Sequence, residues 1–370
     1  MRTIRHLTTT GLALAAALSL ASAAPAHVDV PGLDVNGQCV GDADSNNVVA
    51  INELITAVNT SLGSCPNRPV EIQFKGMVGE HEFTCGTAYD DVGTGTAQFL
   101  PSDFRLYVSE VRLLTLGGDE VPVVLDQDGI WQHDSVALLD FENGSGPCSA
   151  FGNEATNTTV RGMVPAGVYT GVKFTLGVPF ALNHANASTA PAPLNYTAMF
   201  WSWQAGYKFI RVDNAGGAFQ FLHLGSTGCQ SGGPSQPPTA PCAAPNRPTV
   251  EITGFNPEHS VIVANLGALL SGSDLGSNTA GTAPGCMSDP NDPECVPVFA
   301  RLGLSFPAGQ PVAGQTFFHL EEHHHGEDDH KEVLIGAAAE EAGSALVLHP
   351  EFDDAAAIPV PFAECLGGTG

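Results

Sequence analysis

Positive charge is scarce in this chain. Lys and Arg number 13 against 39 Asp and Glu, a formal net charge of -26 over 370 residues. That excludes the basic face that nucleic-acid binding needs and turns the surface toward cations and basic proteins. Long apolar runs are also missing: after the first residues none would span a bilayer. There is no Cys-x-x-Cys pair, no Gly-x-Ser-x-Gly elbow, no His-Glu-x-x-His, no Rossmann glycine pattern and no phosphate loop. The chain therefore reads as a binding protein, not an enzyme. Tryptophan is rarest, with three residues, so two of them one residue apart stand out.

The first residues carry only Arg2 and Arg5, then an apolar run over Gly11–Leu20 and small residues. That is a secretory signal peptide, 1–26. Cleavage after Ala23 or Ala26 is expected, the second leaving His27 at the new N-terminus. The mature protein is expected in the periplasm or outside the cell. Nine cysteines in an exported chain imply disulfides. Cys39–Cys65 and Cys286–Cys295 are natural local pairs, and Cys365 is the candidate for the odd thiol.

Residues 39–65 form a small module followed by the linker Pro66-Asn-Arg-Pro69. Asp42, Asp44, Asn46, the Val48 carbonyl and Glu53 fall at EF-hand ligand positions, ahead of an amphipathic helix over Ile51–Leu62. Asn47 stands where the loop wants glycine, though Asn tolerates positive φ. The stretch resembles half of a dockerin repeat, either a calcium site or a metal-free cap.

From Val70 onward the pattern is strands: Val70–Phe74, Phe104–Leu114, Gly167–Leu176, Thr249–Thr253 and His259–Asn265. Tyr207–Val212 and Ala218–His223 flank Asp213-Asn-Ala-Gly-Gly217, a hairpin. With 42 Gly and 27 Pro, the expected fold is all-β, an irregular sandwich or barrel with long disulfide-stapled loops, plus the small helical N-terminal module. Segments 230–245 and 271–297 read as loops. Residues 319–370 form a separate tail that opens on a His/acidic tract, which reads as a solvated segment with weak metal affinity.

The segment Phe200-Trp-Ser-Trp-Gln-Ala-Gly-Tyr-Lys-Phe209 is the most informative. In a strand, Met199, Trp201 and Trp203 would share one face, with Phe219, Phe221 and His223 forming a second row. Soft sulfur, aromatic rings and imidazole would then converge. From spacing alone, such a stripe is more often core.

This segment resembles the tryptophan motif of the metallo-mystery pair proteins, the family that includes MbnP of methanobactin operons. Other stretches match in order: Asp103–Val108, Trp131-Gln132, Val136–Glu142, Leu176–Phe180 with Asn183-His184, Pro193-Leu-Asn195, and His223–Cys229. Cys242 with Pro245-Asn-Arg247, and Cys286-Met-Ser288 with Cys295, complete the series. The resemblance covers roughly 69–318. It implies one copper ion held as Cu(I), and a partner dihaem MauG-like peroxidase that oxidises the first tryptophan of the pair, here Trp201, to kynurenine. Indole nitrogen offers no in-plane lone pair, whereas the opened ring has donor atoms. Cu(I) favours imidazole and thioether, so His184 and His223 lead as ligands, with Met199 and Met287 as sulfur candidates. His81, His133 and His259 are weaker. Trp203 and Tyr207 either pack around the site or relay an electron hole.

Two other readings stand beside this one. A mature N-terminal His27 would allow a copper oxidoreductase with a histidine brace. The dockerin-like half would allow a calcium-dependent scaffold or adhesion protein.

Overall fold

The computed structural model describes residues 67–321. The signal peptide, the module with Asp42, Asp44, Asn46, Val48 and Glu53, the thiols Cys39, Cys65 and Cys365, and the chain beyond 321 lie outside the described residues. Among the described residues no helix is long and apolar enough to cross a membrane.

The architecture is two large packed sheets and a separate two-stranded one. In chain order the principal strands are β1 (Asn67–Val78), β2 (Pro101–Thr115), β3 (Val136–Asp140), β4 (Thr159–Pro165), β5 (Tyr169–Leu176), β6 (Phe200–Ser202), β7 (Gly206–Tyr207), β8 (Ile210–Asn214), β9 (Phe221–Leu224), β10 (Thr249–Thr253), β11 (Val261–Asn265), β12 (Gly285–Cys286) and β13 (Phe318–Leu320). Three short helices join them: α1 (Phe180–Asn183), α2 (Leu266–Leu270) and α3 (Cys295–Arg301).

The first sheet runs β13–β11–β1–β4 and ends on a short strand, Val124–Leu125. The second runs β10–β5–β2–β8–β9–β12, with β3 also pairing β2. Strand β1 alternates: Val70, Ile72, Phe74 and Val78 are buried, and the residues between them face out or half out. That is the period-two signature of a strand with one covered face. Strand β2 differs. Most of its 15 residues are buried, because both of its faces are covered.

Aromatic side chains bridge the sheets. Phe74 of β1 meets Phe174 of β5 edge-on, ring centroids 5.6 Å apart, and Phe174 meets Phe318 of β13 at 5.1 Å. Phe104 of β2 packs on Phe83 and Phe141. Such pairs add to the area they bury. Gly76 lets Phe141 and Phe104 in: a Cβ there would sit 2.9 Å from the Phe141 ring.

Disulfides Cys85–Cys148, Cys229–Cys242 and Cys286–Cys295 staple the loops, the last as expected from its spacing. The all-β sandwich and the hairpin hold, with four corrections. Met199, Trp201 and Trp203 are not a strand row. Met199 ends a 3-10 turn (Thr197–Met199), β6 covers only Phe200–Ser202, and Trp203 lies in the turn before β7. Phe219 precedes its strand, leaving Phe221 and His223 in β9. Asp213 and Asn214 belong to β8, not to the hairpin turn. Burying Asp213 is tolerable because cations surround it. Asn214 accepts from the Leu100 amide and donates to the Gly216 and Phe219 carbonyls. The stretch 271–297 is also not wholly loop, since it holds β12 and the start of α3.

Candidate metal centre

Strand alternation places chemistry on the face of the second sheet that turns away from the first. In β2, Phe104 points into the sandwich, so Asp103 and Arg105 point the other way. Cross-strand register aligns their neighbours. His223 of β9 pairs with Arg211 of β8, Arg211 with Arg105 of β2, and Arg105 with Asp140 of β3. One residue row along, Asp213 pairs with Asp103. All six are buried.

Such burial needs mutual neutralisation, and the contacts supply it. Arg105 donates to both Asp103 oxygens. Arg211 reaches Asp103 Oδ2 at 3.0 Å and Asp213 Oδ2 at 2.5 Å. His223 Nε2 lies 2.6 Å from Asp213 Oδ1. Burial opposes ionisation of Asp213, but the hydrogen bonds from His223 and Arg211 outweigh it and bring its carboxyl down to about 2. Burial in turn pushes His223 below the usual imidazole range, despite Asp213. The result is a neutral imidazole with its proton on Nε2, facing a carboxylate, and a lone pair on Nδ1.

The tryptophan segment lies over this row. Lys208 Nζ and Arg211 Nη1 both donate to the Ala198 carbonyl, at 2.6 and 2.9 Å. Burial lowers Lys208 to about 8. Strands β6 and β7 pair with each other and carry Trp201 to His223, ring centroids 6.3 Å apart. Gly225 makes room, since a Cβ there would run into the Trp201 six-membered ring and the Tyr207 carbonyl. Among the described residues, Trp201 Nε1 and His223 Nδ1 are both buried without a hydrogen-bond partner. A buried ring nitrogen without a partner is costly, and these two sit on rings whose centroids are 6.3 Å apart.

His184 is placed differently. Its Nδ1 lies 3.0 Å from the Trp203 carbonyl. Its Nε2 faces the Asn183 amide at 3.2 Å and Cys242 Sγ at 3.6 Å. The cluster His184, Cys229 and Cys242 has metal-ligand spacing, but both sulfurs are in a disulfide and give no thiolate. Asn183 accepts from the Tyr207 amide at 2.8 Å and donates to Ser226. Asn183 and His184 thus clamp the tryptophan turn onto the end of β9.

Met199 is fully buried in the core. Met287 is half-buried, and its neighbour Ser288 donates to the His223 carbonyl at 2.9 Å and accepts from the Gly225 amide. Tyr207 is buried, hydrogen-bonded to the Leu194 carbonyl and packed on Tyr107 and Phe200. Burial raises its phenol to about 12. Trp203 contributes its carbonyl to His184. His81 and His259 are exposed and His133 half-exposed. Sequence reasoning missed Asp213, Arg211, Asp103 and Gly225. The available signal was Arg-x-Asp in both Arg211–Asp213 and, reversed, Asp103–Arg105, charges set within otherwise apolar strands.

Comparison with known proteins places the chain in a family. The MbnP family model matches residues 67–288, the stretch that includes Trp201, His184 and His223. The solved structure of MbnP from Methylosinus trichosporium is similar at 32% identity and a TM-score of 0.61, covering 69% of this chain and 98% of that one. No curated protein matches the chain. The chain belongs to the MbnP family.

Proposed function

We propose that this is an exported copper(I)-binding protein of copper homeostasis, in the periplasm or outside the cell. A partner dihaem MauG-like peroxidase completes its site by oxidising Trp201 to kynurenine. The observation that carries the reading is the pair of buried, unpartnered nitrogens, Trp201 Nε1 and His223 Nδ1, on neighbouring rings.

An indole N–H cannot ligate, while the Nδ1 lone pair of a neutral imidazole can. Oxidation breaks the C2–C3 bond of the indole and admits two oxygen atoms. The oxidant is hydrogen peroxide at the partner's haems, reduced to water. Hydrolysis then releases the C2 carbon as formate. The remaining side chain keeps an aryl amine and gains a ketone, donors that indole lacks. His223 Nδ1 supports a soft, low-coordinate ion, and Asp213 holds the ring in the tautomer that leaves this nitrogen open. Half-buried Met287 is the nearest sulfur along the chain to the Ser288 that anchors this strand. Trp201 is itself half-buried, which leaves part of its ring open to an oxidising partner. We read the chain as a binder rather than an enzyme.

The test is peptide mass analysis of protein made with and without the partner, followed by cuprous titration. The Trp201 peptide is expected to lose one carbon and gain one oxygen only with the partner. Tight binding is expected to follow that change and to be lost in Trp201→Phe and His223→Ala. Tight cuprous binding by protein with an intact indole at 201 overturns the reading.

A further inference from the structure

Of the three disulfides among the described residues, one has an imidazole in ligand range. Cys229 and Cys242 meet beside His184, and one ligand atom from each lies within 4.8 Å of the others. All three residues are buried. The ring is also turned as a ligand needs. Its Nδ1 faces the Trp203 carbonyl at 3.0 Å, which can only accept, so the proton sits on Nδ1 and the lone pair on Nε2. A backbone carbonyl on the far nitrogen is the common support of a ligating histidine. Nε2 in turn lies 3.6 Å from Cys242 Sγ. Zinc bonds of about 2.3 Å to sulfur and about 2.0 Å to nitrogen, at a tetrahedral angle, set those two atoms about 3.5 Å apart. A plain staple has no use for an imidazole at that distance.

The backbone holds the two cysteines together without the sulfurs. Thr227 and Ala244 form a β-bridge, with hydrogen bonds of 2.9 and 3.0 Å, and the Ala243 amide donates to the Gly228 carbonyl at 3.3 Å. Gln204 donates to the Cys229 carbonyl. Opening the disulfide therefore leaves both thiols beside the imidazole. We propose that reduction of Cys229–Cys242 creates a second metal site, in which the two thiolates and His184 Nε2 bind a thiophilic divalent ion such as zinc. The S–S bond takes two electrons and two protons from an exported dithiol protein, which is oxidised to its own disulfide. The ion then displaces the two thiol protons. Two thiolates cancel its charge, so the buried site is neutral, and water completes the fourth position. At 8% exposure each, the cysteines are not sealed from a reductant. The tryptophan turn thus hangs on a ring that is a clamp in the oxidised protein and a ligand in the reduced one.

The test is alkylation of the full chain, reduced with dithiothreitol under native conditions, freed of reductant and held in zinc chloride or in EDTA. Peptide mass analysis reads each cysteine separately. Zinc is expected to protect Cys229 and Cys242, and to do so at lower concentration than Cys286 and Cys295, which have no imidazole beside them. His184→Gln keeps a donor for the Trp203 carbonyl, so its melting temperature with the disulfide closed should match the parent's. After reduction it should need at least about tenfold more zinc for half-protection. Cys242→Ser, read at Cys229, should lose protection likewise and decides the matter if His184→Gln does not fold. No zinc-dependent protection at Cys229 and Cys242 overturns the proposal. So does protection that survives in the variants. Neither outcome bears on cuprous binding at Trp201, which is measured with the disulfide closed.

Discussion

At the scale of single residues, the proposed site rests on His223, and Asp213 decides which of its nitrogens is open. The carboxylate accepts the hydrogen bond from Nε2–H and leaves Nδ1 without a partner. Replacing it with Asn keeps the shape, and Arg211 retains Asp103 at 3.0 Å, so folding should survive. The tautomer is no longer enforced. In kynurenine-containing protein, Asp213→Asn is expected to weaken cuprous binding about 10- to 100-fold, measured by competition titration. An unchanged affinity would show that the carboxylate does not position the ring. Trp201 and His223 stood out in the sequence through the motifs they share with a known family, since spacing alone reads as core. Asp213 did not, because it reads as the first residue of a turn. Only the pairing of β8 with β9 shows that the strand continues through it.

At the scale of elements, the site depends on a close approach between the tryptophan strand and the end of β9. At Gly225 the two come so close that a Cβ would sit 2.3 Å from the Trp201 ring. Gly225→Ala is expected to push the Trp201 ring away, at a cost of about 1–3 kcal/mol in denaturant-derived stability. It should also reduce the yield of modified Trp201 peptide when the partner is present. Full modification in a stable Gly225→Ala protein would show that the ring does not need this seat. The strand expectations for β1, β2, β5, β10 and β11 were good because alternation and β-rich composition report burial directly. The stripe Met199–Trp201–Trp203 misled. A spacing of two implies one face only where the backbone stays extended, and here a 3-10 turn ends at Met199. The His184 role was also hidden, since nothing local shows that its ring abuts a disulfide formed by residues far along the chain.

At the scale of the whole molecule, buried charge leaves a mark on stability. Asp140 faces Arg105, Glu142, Asp103 and the Asn153 amide, and burial above all raises its carboxyl to about 8. A carboxyl raised above its unfolded value of about 4 favours the fold when protonated. Its contribution is therefore complete at acid pH and declines as pH rises toward about 8. Asp140→Asn keeps the neutral form at every pH. Its melting temperature relative to the parent is expected to climb steadily between about pH 5 and pH 8. A pH-independent difference would mean that Asp140 is ionised throughout. The fold class was readable from turn-rich composition and short alternating segments. The division of labour between sheets was not, because which face a charged residue takes is fixed by long-range pairing.

That division has a consequence for how the chain can be extended. Strand β1 opens the described residues and β13 closes them, and both sit in the first sheet with β11 between them. Lys75 of β1 meets Glu321, just past β13, at 2.7 Å. His223 belongs to the second sheet, and Trp201 to the two-stranded β6–β7 sheet. Both ends of the described residues are therefore in the first sheet, which does not carry His223. A change of length at either end therefore leaves the pairing of β8 with β9, and the register that sets His223 against Arg211, as it is.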